Sequence, residues 1–213
     1  MNGPTLGILD EMKWRDEAIM LLACAVFVLP HSQQDELSAF DKCRIVTSSD
    51  LTDNKAPRFT AYRIPTSEVI ENPKLDLKSN PTARMYRTLL REEISKGANF
   101  AGHYRVAIWG CGTSCAMFAI VNLKTGRVIT PEGFHSTSTV YFDVDDHAVF
   151  SHSLSRDAVF GFRKDSKLIG ILGDLDEDES REGAFYFALD AERLRLNHST
   201  PIKKDCENLR NHR

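Results

Sequence analysis

The stretch NFAGHYRVAIWGCGTSC, residues 99–115, ends in two cysteines four positions apart, Cys111 and Cys115, with Ser114 beside the second and His103 upstream. Such side chains could form a nucleophilic centre, a metal clip or a disulfide. Ser114 in GTSCA approaches a G-x-S-x-G elbow, but that elbow leads into a helix, whereas the following AMFAIVNL reads as a strand and Ala116 replaces the last glycine. CGTSC also approaches the C-G-S-C of one group of cysteine proteases, with an extra residue before the second cysteine and again a strand behind it. A thioredoxin-type pair would need C-x2-C within a βαβ pattern. Zinc also prefers C-x2-C, and the H-x4-H pair of His147 and His152 falls on opposite strand faces. The favoured chemistry is a disulfide that staples a hairpin. Gly110 and Gly112 permit the tight backbone, and Trp109 can shield the sulfurs.

The other reactive side chains form weaker patterns. His103, His135, His147 and His152 are scattered over strands and loops. His135, Asp143, Asp145 and His147 are the pool from which a hydrolase would draw its acid and base, the alternative being a turn that closes a hairpin. GDLDEDESREG places Asp174, Asp176 and Asp178 at alternate positions, as calcium loops do. An EF-hand would need Gly and Glu where the chain has Glu179 and Phe185, so a solvated hairpin loop is expected. No catalytic residue, metal or cofactor is assigned.

The elements that position these residues begin after a segment that looks like an export signal. MKWRDEAIMLLACAVFVLP starts at an internal Met12, carries Lys13 and Arg15, and continues as an apolar run from Ala18 to Leu29, too short to span a bilayer as a helix. Residues 1–32 are thus expected to be an N-terminal extension and cleaved signal peptide, leaving residues 33–213 as one disulfide-stabilised, β-rich domain without a membrane span. A core helix is the alternative, and LLAC offers a lipobox reading with Cys24 lipidated. Export implies an oxidising compartment, periplasmic or extracellular. Of five cysteines, setting Cys24 aside leaves four, which allow three pairings. Cys111 with Cys115 and Cys43 with Cys206 are preferred; the second would tie the mature chain's start to its end, for roughly 4 to 5 kcal/mol by loop entropy.

Charge narrows the partners. With 27 Lys+Arg against 30 Asp+Glu and a pI near 6.2, the chain has no broad basic face for a phosphate backbone, which argues against nucleic acid.

Residues 49–80 are rich in turn formers and should run over the surface as loops and strand fragments such as FTAYRI, a linker or wrapping arm. NPTARMYRTLLREEISKG then predicts one amphipathic helix over residues 81–96. Asn80 caps it, Pro81 starts it, Met85, Tyr86, Leu89, Leu90 and Ile94 form its apolar stripe, and Gly97 stops it. Beyond Gly97 the period becomes two. HYRVAIW places Tyr104, Val106 and Ile108 on one face and His103, Arg105 and Trp109 on the other, and Gly126 lets NLKTGRV reverse the chain. Further strands are expected in STVYFDV, HAVFSHS, AVFGFR, SKLIGIL, GAFYFAL and RLRLNHS. The sum is a mainly β (α+β) fold, an antiparallel meander or sandwich-like sheet with one covering helix; a partial β-propeller-like sheet is the alternative.

The blocks NFAGHY, WGCGTSC and TGRV, with FRKDSKLIGIL and GAFYFALDAERLRL after them, resemble an uncharacterised family of exported bacterial proteins sharing an NFAGxY, WGCGxxC, TGxV arrangement. The resemblance spans the chain from the helix to Leu196 and implies export, a disulfide and a β-rich domain, with no assigned reaction. The expected function is accordingly non-catalytic binding of a protein, peptide or envelope component, through the face of His103, Arg105 and Trp109 or through an uncovered edge strand.

Overall fold

A computed structural model of the chain describes residues 39–66, 73–138, 142–143, 149–150, 159–202, 204, 206 and 208, all within one compact unit from Leu37 to Arg213. The expected signal segment with Cys24, most of HAVFSHS, and Asp145, His147 and His152 lie outside the described residues.

The architecture is mainly β. Its strands are β1 Val46–Thr47, β2 Tyr104–Gly112, β3 Cys115–Asn122, β4 Val128–Ile129, β5 Thr137–Ser138, β6 Phe142–Asp143, β7 Val159–Phe162, β8 Leu168–Leu175, β9 Glu182–Asp190 and β10 Arg193–Pro201. Eight of them make one antiparallel sheet ordered β10-β9-β8-β5-β3-β2, in which β4 also pairs with β3 and β7 with β8; β1 and β6 form a separate parallel pair. The sheet is one continuous path rather than separate blades. Its narrow point is β5: Thr137 stands opposite Ala116 on one side and Leu175 on the other, and Ser138 opposite Cys115 and Asp174.

Alternation along the strands explains how this sheet folds on itself. Val106, Phe118, Ile120 and Ile129 from one side of β5 share a buried cluster with Phe160, Ile169, Ile171, Phe187 and Leu189 from the other. The opposite faces are covered separately. Ala107, Trp109, Ala119, Val121 and Val128 pack under the helices α2 Pro81–Met85 and α3 Arg87–Ser95, through Ala83, Leu90 and Ile94. Leu168, Leu172, Ala184 and Tyr186 pack under the N-terminal arm, through Val46 and Leu51. Strands apolar on both faces, such as β8, are what such a layered arrangement demands.

That arm begins with a short helix, α1 Ala39–Arg44, and FTAY turns as a 3-10 helix over Phe59–Tyr62 instead of the expected strand fragment. It is strapped to the C-terminal segment in reverse order: Cys43 is joined to Cys206, Asp50 pairs with Lys204 at 2.7 Å, Asp53 with His198 at 2.6 Å, and the Tyr62 hydroxyl accepts from Asn197 at 2.8 Å. The Cys111–Cys115 disulfide is also formed.

The helix differs from the expected single span. It breaks at Tyr86, whose backbone (φ −105°, ψ 26°) leaves helical geometry between α2 and α3. Each piece has its own anchor. The Asn80 side chain accepts from Thr82 N and donates to Thr130 Oγ1, while α3 is held by a salt bridge to β2, and the break lets the Tyr86 ring turn onto Trp109. Met85 is rotated off the apolar stripe and stands 73% exposed.

Candidate binding edge

The strand that carries the opening stretch is an edge strand, with β3 on one side only. Its register sets which backbone groups look outward. His103 O accepts from Leu123 N, so the odd-numbered residues Arg105, Ala107 and Trp109 pair with β3 and the even-numbered ones face away. Two of those outward residues are closed off from within. Tyr104 exchanges both backbone hydrogen bonds with Phe100, and Val106 donates to Asn99 Oδ1 at 2.7 Å and accepts from Asn99 Nδ2 at 3.1 Å. Beyond them, the outward groups of Ile108 and Gly110 have no partner among the described residues. The helix-to-strand bend that makes this possible uses positive φ at Ala101 (41°) and Gly102 (76°).

The open half ends in the hairpin tip. Gly110 faces Ala116 and Gly112 faces Cys115, so Cys111 sits in a bulge with no residue of β3 opposite. Cys111 is exposed and Cys115 half-buried. Ser114 turns the chain at φ 54°, serving the reversal.

The face expected to bind lies under α3. Arg105 donates to Glu93 Oε2 through Nε (3.1 Å) and Nη2 (2.8 Å) and to Gly97 O through Nη1, while Trp109 is 8% exposed with its ring 4.6 Å from that of Tyr86. Trp109 thus packs on the helix junction where the sequence suggested the sulfurs. His103 is half-buried, its ring 4.4 Å from that of Tyr104. What Arg105 and Trp109 accomplish is to seat the helix. Burial pushes the Glu93 carboxyl up, but hydrogen bonds from Lys96 and Arg105 outweigh it and hold its pKa below the usual range.

The hydrolase pool is not gathered among the described residues. His135 has a side chain 90% exposed, 3.9 Å from Asp176, and Asp143 lies on β6. The acidic run is the exposed loop between β8 and β9, as expected, and it carries one anchor: Asp176 Oδ1 accepts from the backbone of His135 (2.7 Å) and Ser136 (3.2 Å), and its other oxygen meets Arg181. Among the described residues no three His, Cys, Asp or Glu side chains converge as metal ligands.

Sequence reasoning missed one polar cluster. Asp53 Oδ1 accepts from Lys55 N and Oδ2 from Thr200 Oγ1, with His198 Nε2 also at Oδ2, and the Lys55 and His198 bonds hold its carboxyl below the usual pKa. The nearby Tyr186 hydroxyl is buried with no hydrogen-bond partner among the described residues; burial first, and the Asp53 charge second, push it well above an ordinary tyrosine. Asp53 and His198 are 145 positions apart, so no local spacing could reveal them.

Compared with protein-family models, curated proteins and solved structures, the chain matches none. No helix among the described residues is long and apolar enough to cross a membrane. The two disulfides fit an oxidising environment.

Proposed function

We propose that the protein is an exported, non-catalytic binding domain that takes an extended polypeptide segment onto the open half of β2. The observation that carries this is the change along one edge: Tyr104 and Val106 are closed by Phe100 and Asn99, while Ile108 and Gly110 are open. An unpaired run of N–H and C=O groups is a template for strand addition, and natural sheets cover it where pairing is unwanted. Here the cover stops partway. The opposite edge strand, β10, instead carries the side chains that hold the N-terminal strap. Placement in the periplasm or outside the cell is supported by the disulfides and by the resemblance to exported bacterial proteins.

Amide hydrogen exchange with a reduced, carboxymethylated unfolded protein as the probe tests this. The expected result is new protection at Ile108 and Gly110, with Ala107 and Trp109, already in the ladder, protected throughout. Failure of the probe to bind, or binding that leaves both outward amides unprotected, contradicts it.

A further inference from the structure

We propose that the Cys111–Cys115 disulfide is the electrophile of a thiol–disulfide exchange with cysteine-containing extended polypeptides docked on the β2 edge. The proposal rests on the edge-binding reading and names its substrate class. Three observations converge on it.

The first is distance. A strand added to a sheet places facing Cα atoms about 4.5 to 5.5 Å apart. A disulfide spans Cα separations of about 4.4 to 6.8 Å. A cysteine opposite Cys111 on an added strand would therefore have its Cα within the separation that a disulfide can span. Cys111 directly follows Gly110, the last open position before it, and has no β3 residue opposite.

The second is access. Cys111 is exposed at the tip and Cys115 half-buried against β5, so an incoming thiolate meets Cys111 first and Cys115 is the leaving sulfur. In the other disulfide Cys206 is 7% exposed and Cys43 half-buried, so neither of its sulfurs is as open to attack as Cys111.

The third is dispensability. The bond spans a sequence separation of 4 at the exposed tip of a hairpin that is paired from Tyr104 to Gly112 and packed on both faces as far as Trp109. Strand pairing and core packing hold that hairpin whether the bond is open or closed.

The exchange balances as follows. A substrate thiolate attacks Cys111 Sγ, the Sγ–Sγ bond breaks, and its electron pair leaves on Cys115, which takes up a proton. A second thiolate of the same substrate attacks the substrate sulfur of the mixed disulfide and releases Cys111 as a thiol. The substrate dithiol is oxidised to a disulfide, and Cys111 and Cys115 are reduced by the same two electrons.

The test mixes the oxidised full chain with a short unstructured dithiol peptide or with glutathione, and follows thiol state by alkylation and peptide mass mapping. The expected result is that peptide reduces Cys111–Cys115 about 10-fold faster than glutathione at equal thiol concentration, because docking raises the local concentration. Cys43–Cys206 stays intact, and Gly110→Pro removes the advantage for the peptide, so that in this variant peptide and glutathione react at similar rates. In Cys115→Ser, the oxidised peptide should trap a mixed disulfide on Cys111. Peptide binding without exchange overturns this proposal and leaves the edge-binding reading standing. Equal rates for peptide and glutathione, or no effect of Gly110→Pro, overturn the coupling of exchange to the edge. Absence of peptide binding overturns both.

Discussion

The side chain of Asn99 closes the backbone of Val106 from both sides, accepting its N–H at 2.7 Å and donating to its carbonyl at 3.1 Å. One amide thus stands in for a neighbouring strand and fixes where the open edge begins. Asn99→Ala should uncover Val106. The expected outcomes are faster exchange at the Val106 amide, a stability loss of about 1 to 2 kcal/mol by urea unfolding, and tighter binding of the unfolded probe through the extra pair.

The Arg105–Glu93 contact makes helix docking sensitive to acid. The Glu93 pKa is lowered in the folded chain, so its contribution is complete above the unfolded value of about 4.3 and is lost as pH falls through the lower folded value. Unfolding of wild type and Glu93→Gln should show a difference in midpoint that is constant near neutrality and shrinks on acidification. A difference that grows with acid would mean the wrong sign.

The two disulfides should differ in their weight. Cys43–Cys206 spans 163 positions and Cys111–Cys115 spans 4, which by loop entropy corresponds to about 5 and about 2 kcal/mol. Paired serine replacements at each bond, compared by denaturant unfolding, measure this directly. The larger loss belongs to the strap.

Gly126 is fixed by its neighbours as well as its φ of +76°, because a Cβ there would run into the Lys74 backbone. Gly126→Ala should destabilise the chain by about 1 to 3 kcal/mol without altering the β2 edge, read by thermal unfolding and by unchanged probe binding.

The sheet was legible because period-two alternation survives in long strands, and the helical segment after Asn80 because Asn80 and Pro81 announce its start. Its break was hidden. Tyr86 sits in a helical pattern, and its partners across the sheet, the Trp109 ring and Met117 Sδ, lie 23 (109 minus 86) and 31 positions away in the chain. The polar face of β2 was visible, but whether it meets solvent or a helix depends on Arg105 finding Glu93, which alternation cannot state. An uncovered edge strand was expected, but which strand and which positions stay open was not legible, because the edge is defined by backbone groups and every residue has those. The Asn99 cap had a partial signal, since an asparagine before a bend is expected to bond a nearby amide. The Asp53–His198 contact had none, because the strap brings together chain ends that no motif links.

The most direct test of the open edge uses one residue with two substitutions. Gly110 N–H faces away from β3, and a Cβ built there meets nothing closer than Cys115 O at 3.8 Å, so an alanine side chain has room, and proline, which edge strands accept where the N–H looks outward, removes no ladder hydrogen bond. Only proline removes the outward donor. Binding of the reduced, carboxymethylated unfolded probe should be retained by Gly110→Ala and weakened about 10-fold or more by Gly110→Pro at equal melting temperature. Equal binding by both variants would show that the probe does not add to the β2 edge, and would contradict the account.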